Sequence, residues 1–144
     1  MLLERPDVLA EVTAQFDAYE RALVADDAEA VVGFFAPGAV RFGIADQQVG
    51  LAEQLRWRRA QAPLPPGRRL HDTRIVAYGT DVAVVTTLFG YPGGTVSGRQ
   101  SQTWVRLPEG WRIVSAHVSE PARDPVRGQA LSANASSMPS VNTS

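Results

Sequence analysis

Residues Gly98 to Ser119, GRQSQTWVRLPEGWRIVSAHVS, read as two β-strands joined by a tight turn at Pro108-Glu109-Gly110. Proline fixes φ and glycine accepts φ > 0, which is the chemistry a hairpin turn requires. Side chains on a strand alternate with period two. Gln100, Gln102 and Trp104 therefore share one side of the first strand, and Trp111, Ile113, Ser115, His117 and Ser119 share one side of the second. In each strand an aromatic ring continues into hydrogen-bonding groups on the same face. A plain core strand is apolar along its length, so the mixture predicts strands that start in a core and end in a polar pocket.

Upstream, residues 70–78 and 82–91 carry the same strand signals, separated by short turn-rich gaps. The run AVVTTLF is β-branched and nearly continuous, which predicts a central strand buried on both faces. The first half of the chain is helical instead. Val12, Phe16, Tyr19 and Leu23 recur at helical spacing within a helix predicted over 6–25, with Pro6 in its first turn. Asp26-Asp27 can cap a second short helix over 28–35, which Pro37-Gly38 ends. A short strand over 39–43 follows. A third helix over 51–61 places Leu51 and Leu55 inward, and a stiff Pro/Gly loop over 63–67 closes the half. Helices first and a strand meander after predict an α+β domain, its helices packed on one face of a bent antiparallel sheet.

The totals narrow the function. A chain of 144 residues suits one domain. A formal net charge of −1 argues against nucleic acid as a partner. There is no cysteine, which removes disulfides, iron–sulfur clusters and thiol nucleophiles. The N-terminal MLLERPDVLAE carries charges where a signal peptide needs an apolar run, and no stretch suits a bilayer, so no membrane partner and a cytoplasmic location are expected. All 14 basic residues are arginine, so Schiff-base chemistry is excluded and any bound anion is held by Arg, His, hydroxyls, amides or backbone N–H groups. Residues 124–144 are rich in Ser, Ala, Asn, Pro and Thr, which predicts a polar, mobile tail after a domain over 1–123.

Individual residues allow two readings each. Tyr19 fits a core tyrosine with its hydroxyl at the rim, or a phenol aimed into a cavity as proton donor. Arg41, between Val40 and Phe42, fits an outward arginine, or a guanidinium inside the sheet that clamps a carboxylate. His117 fits a structural histidine or a site residue. With His71 as the second histidine and no metal-ligand spacing, no metal site is expected. Gln102 and Ser119 are edge-strand residues or pocket donors, and no serine shows a triad arrangement. Arg56, Arg58, Arg59, Arg68, Arg69 and Arg74 form a basic middle, read as a solvated helix face or as steering for an anionic substrate.

Taken together, FFAPGAVRFG, LHDTRIVAYG, GRQSQTWVRL and GWRIVSAHVS resemble the AtzH-like family. That family lies within the nuclear-transport-factor-two-like superfamily, also called SnoaL-like or ketosteroid-isomerase-like. The resemblance implies a cone: a strongly bent antiparallel sheet wrapped around three N-terminal helices, a cystatin-like fold with an internal pocket. It also implies a small enzyme without cofactor that acts on a carboxylated urea or ureide. The type reaction is decarboxylation of 1,3-dicarboxyurea to allophanate. The implied catalytic residues are Tyr19 from the first helix and Arg41 from the VRFG strand. Gln100, Gln102, His117 and Ser119 are the expected substrate-binding groups. A small anionic substrate, a homodimer through the outer sheet face and association with an amidohydrolase are the expected partners. A non-catalytic accessory role beside that amidohydrolase is the alternative. Isomerase chemistry of the ketosteroid type would need Asp46 or Asp72 as a carboxylate base.

Overall fold

The computed structural model describes residues 5–94 and 97–121. The expected tail over 124–144 lies outside them. Helix α1 (Pro6–Val24) carries Val8, Val12, Phe16 and Tyr19 on its buried stripe. Helix α2 (Ala28–Val32) starts at an Asp27 cap, whose carboxylate accepts from the Ala30 N–H at 3.1 Å. Strand β1 (Phe35–Phe42), strand β2 (Gln47–Val49) and helix α3 (Leu51–Arg59) follow. The second half is β3 (Arg69–Tyr78), β4 (Val82–Gly90), β5 (Gly98–Leu107) and β6 (Gly110–Ser119).

The six strands form one strongly curled sheet in the order β2-β1-β6-β5-β4-β3. Every neighbouring pair is antiparallel except β1 with β6, which run parallel. The parallel pair is the topological cost of bringing the first-half strand back beside the last one, and it places Arg41 next to Ala116. Pro37-Gly38 does not end a helix but bulges within β1, where pairing slips between Phe35 and Val40. A second slip lies between His71 and Arg74 of β3. A third falls between Thr103 and Trp104 of β5, opposite β6. Such bulges bend a sheet and increase its twist, and here they help curl it over the helices.

The core lies between the helices and the inner face. Val8, Val12, Phe16, Val31, Phe35, Ala83, Val85, Trp104 and Ile113 are its most enclosed members. Phe89 lies flat over Gly98, its cross-strand partner, and a Cβ there would overlap the ring. At the far end, the Trp111 indole N–H donates to Glu11 at 2.9 Å, and Arg106 donates to the same carboxylate at 2.8 Å. That bond to Trp111 and the charge of Arg106 outweigh desolvation and keep Glu11 below the ordinary carboxylate range. Strand β4 is buried on one face, through Ala83, Val85, Thr87 and Phe89. Its other face, Val84 to Leu88, is half-buried or exposed. The expectation of burial on both faces therefore fails in the single chain, because helices cover one side of the sheet only.

Candidate active site

The β1–β2 hairpin builds the first wall. Arg41 is 7% exposed, so its reading as an outward arginine is overturned. Its Nη1 donates to Asp46 Oδ2 at 2.6 Å and to Gln48 Oε1 at 2.9 Å. Gln48 Nε2 donates to the same Asp46 oxygen at 2.8 Å, which closes a triangle. Gln48 reaches it because β2 pairs Gln48 directly with Arg41. Burial works against the Asp46 carboxylate, but the bonds from Gln48 and Arg41, with the Arg41 charge, prevail and lower its pKa. The Arg41 guanidinium also lies 4.5 Å from the centre of the Trp57 ring.

Helix α3 forms the second wall and departs most from expectation. Leu51 and Leu55 are only half-buried, and the fully enclosed residue is Gln54, at 0% exposure. Gln54 Oε1, Gln54 Nε2 and Arg58 Nε are buried without a hydrogen-bond partner among the described residues. Gln54 and Arg58 are one helical turn apart and share a face. Arg58 is thus not part of a solvated helix face. Its guanidinium sits 5.4 Å from the Trp57 ring centre, among other charges. Burial comes first in lowering its pKa, and the like charges of Arg41 and Arg68 add to it against Tyr19 and Asp46. Arg59, by contrast, is exposed and pairs with Glu29.

Tyr19 reaches this space from α1. It is 3% exposed and packs edge-on against Phe34 and Phe35, with ring centres 5.9 and 6.2 Å away. Its hydroxyl makes no hydrogen bond to Arg41; both groups lie within electrostatic reach of Arg58. The next residue, Glu20, is buried against Arg68 at 2.9 Å. Gln100 completes that pair: its Oε1 accepts from Arg68 at 3.2 Å and its Nε2 donates to Glu20 at 3.0 Å. Tyr91 accepts a further bond from Arg68 at 3.2 Å. Desolvation opposes the Arg68 charge, yet its bonds to Glu20 and Tyr91 raise its pKa further. Arg68 too is therefore removed from the solvated basic surface. Gln102 is 1% exposed, and its Oε1 accepts from the Trp104 indole at 3.0 Å. An indole nitrogen only donates, so the Gln102 amide nitrogen is the end left for another partner.

His117 and Ser119 do not join this cluster. Pairing jumps from Thr103–Ser115 to Trp104–Ile113, so Val114 is an unpaired extra residue in β6. The insertion reverses the alternation. Trp111 and Ile113 point inward, Ala116 takes the next inward place, and Ser115 and His117 face out. The shared face of Trp111, Ile113, Ser115, His117 and Ser119 is thereby corrected. His117 stacks edge-on with Phe42, 5.8 Å between centres, on the outer surface. Ser119 shares with it an open groove of about 630 Å³ lined also by Arg74, Thr86, Arg99 and Ser101.

Arg58 links the inward groups: Tyr19 and Arg41 lie within its electrostatic reach and Gln54 is one helical turn away, while Gln102 is enclosed on the inner face of β5. A smaller cavity of about 170 Å³ lies between the end of α1, the start of α2 and the end of α3, and meets these groups at Arg58. Leu23, Asp26, Asp27, Val31, Trp57 and Arg58 are among the residues that line that cavity. No cluster of metal-ligating side chains occurs among the described residues. Sequence reasoning missed Gln54, Trp57 and Glu20, and gave Arg58 and Arg68 only as part of a basic stretch, a solvated helix face or steering for an anionic substrate. The available signal was the 51, 54, 55, 58 spacing on α3, which sets an amide and a guanidinium on the leucine stripe.

The sequence matches the AtzH-like family over residues 1–123. The chain belongs to the AtzH-like family. A protein of unknown function from Pectobacterium atrosepticum is 43% identical. The match covers 82% of this chain and 94% of that one, with a TM-score of 0.78. A cystatin-like fold protein from Burkholderia xenovorans is 47% identical over 82% and 95% of the two chains, with a TM-score of 0.77. An NTF2-like protein of unknown function from Pseudomonas putida shares the fold, with a TM-score of 0.73. Its identity is 17% over 88% and 94% of the chains. A search of curated proteins found no match. The AtzH-like assignment and these neighbours agree with the cone expected from the sequence. No helix among the described residues is long and apolar enough to cross a membrane.

Proposed function

We propose that this AtzH-like protein is a cofactor-independent enzyme acting on a carboxylated urea or ureide, by decarboxylation of the kind that turns 1,3-dicarboxyurea into allophanate. The observation that carries this reading is that Tyr19 and Arg41 are both buried and both within electrostatic reach of Arg58, which, with Gln54 one turn away, keeps hydrogen-bonding atoms without a partner among the described residues.

Loss of CO2 from an N-carboxylate breaks the C–N bond. The electron pair stays on nitrogen, which must gain a proton, and a carboxylate elsewhere on the substrate must be held still. Tyr19 O–H supplies the proton to that nitrogen as the bond breaks, and water returns it afterwards. Phe34 and Phe35 fix the phenol ring, so the hydroxyl is delivered without rearrangement. Arg41 Nη1 is engaged by Asp46 and Gln48, which leaves Nε and Nη2 for the substrate carboxylate. The Gln102 amide donates to the urea carbonyl, oriented by Trp104. Of the two proton donors the sequence offered, Tyr19 lies inside and His117 outside. Gln100 acts by holding Arg68 and Glu20 together. The same proposal includes a homodimer through the outer sheet face.

The test is CO2 release from 1,3-dicarboxyurea by the purified chain. Wild type is expected to turn over, with Tyr19→Phe and Arg41→Gln each slower by about 100-fold or more while folded. Rates equal to buffer for folded wild-type protein overturn the activity and leave the accessory role beside an amidohydrolase.

A further inference from the structure

Three guanidiniums and two carboxylates surround the inner cluster. Arg41 is paired with Asp46 at 2.6 Å and Arg68 with Glu20 at 2.9 Å. Arg58 has no carboxylate partner and donates no side-chain hydrogen bond among the described residues, and its Nε is buried. One turn away, Gln54 buries both ends of its amide without a partner. Unpaired buried polar atoms of this kind are rare in folded proteins and call for a specific reason. Their geometry has one. A guanidinium binds a carboxylate, and an amide offers one donor and one acceptor to a second amide.

We propose that Arg58 and Gln54 are a substrate-anchoring pair for a small planar carboxylate bearing an adjacent amide or urea group. The carboxylate takes the Arg58 guanidinium, and the amide or urea group exchanges hydrogen bonds with the Gln54 side chain. The proposal rests on the reading above for the substrate's chemical class. It adds Arg58 to Arg41 as an anion contact, and Arg58 brings a charge that no carboxylate yet offsets, whereas Arg41 is paired with Asp46. Trp57, which both guanidiniums approach, holds the two in register. The 170 Å³ cavity that Arg58 lines is of the order that accepts a benzene-sized molecule; Asp26 and Asp27 line it too, Asp27 engaged in capping Ala30, and Gln54 is reached past Arg58 rather than from the cavity itself.

The experiment titrates the full chain with oxamate by calorimetry at constant ionic strength, with propionate as the carboxylate lacking the amide. Melting temperatures are recorded in parallel. Wild type is expected to bind oxamate more tightly than propionate. Arg58→Met is expected to weaken oxamate at least about 10-fold, and Gln54→Met to remove the preference over propionate. Both variants are expected to melt, without ligand, at or above the wild-type temperature, since each removes unpaired buried polar atoms. A purely structural pair would instead lower the melting temperature and leave relative affinities unchanged. That result, or the absence of oxamate binding by wild type, overturns the proposal. Binding that depends on Arg58 in a chain that releases no CO2 upholds the anchor while the reaction falls. Turnover with Arg58-independent binding does the reverse.

Discussion

The Asp46 carboxylate fills the space that a side chain on Gly43 would occupy. A Cβ built on Gly43 overlaps both carboxylate oxygens, and the two residues are also joined by the Gly43 N–H donating to the Asp46 carbonyl at 2.7 Å. The clamp on Arg41 therefore depends on the absence of one methyl group. Gly43→Ala is expected to displace Asp46, destabilise the fold by about 1–3 kcal/mol and reduce turnover about tenfold. Denaturation and CO2 release on the same preparation check both numbers. Wild-type behaviour in both would mean that the loop shifts freely and Asp46 does not set the Arg41 position.

The same carboxylate gives a pH dependence of known sign. The native pKa of Asp46 lies below its ordinary value of 3.8, with burial opposing and Gln48 and Arg41 prevailing. A group depressed in the native state stabilises the fold above its unfolded pKa and yields that stability as pH falls through the native value. Asp46→Asn is expected to be less stable than wild type at neutral pH, with the two converging in acid below about pH 4. Denaturant midpoints across pH test this. A constant gap between the curves would exclude Asp46 as the titrating group.

The Arg68–Glu20 pair is enclosed, with side chains 5% and 11% exposed. Removing one member strands the other charge. Arg68→Met is expected to cost about 3–5 kcal/mol, and addition of Glu20→Leu to recover part of it. The comparison of single and double variants by chemical denaturation decides the matter. A double variant less stable than either single change would show that the charges are not each other's main compensation.

The outer face of β4 supplies a test of self-association. Val84 is half-buried in the single chain, and its row crosses the sheet through Thr103 to Ser115. Val84→Asp is expected to convert a dimer to a monomer with the helical content kept, by light scattering and circular dichroism. A dimer that survives the change uses another surface.

Much of the architecture was legible because period-two and helical patterns report burial directly. The hairpin of β5 and β6 lies where GRQSQTWVRL and GWRIVSAHVS predicted it, with Gln100, Gln102 and Trp104 on the inner face. Two kinds of information were not in the pattern. A single inserted residue such as Val114 leaves no local mark, yet it moved His117 and Ser119 to the other side of the sheet. The inward arginines, Arg58 and Arg68, resemble surface residues by type: Arg68 is buried through Glu20 and Tyr91, distant in sequence, and Arg58 lies beside the Trp57 ring with no ion-pair partner that a pattern could reveal. Gln47–Val49 was missed as a strand because three polar-rich residues carry no alternation of their own.

Val114 also bears on how this pocket can change over time. Losing that lone residue would change little: with Trp104 opposite Ile113 and Thr103 opposite Ser115, its excision leaves a regular ladder, Ala116 still within and the imidazole still on the exterior skin. Sliding the strand by one place, so that Val114 itself meets Thr103, would instead exchange wall and skin along the remainder of the last strand. A shift of register, rather than a change of length, is the short route by which this scaffold could bring a histidine into its chamber.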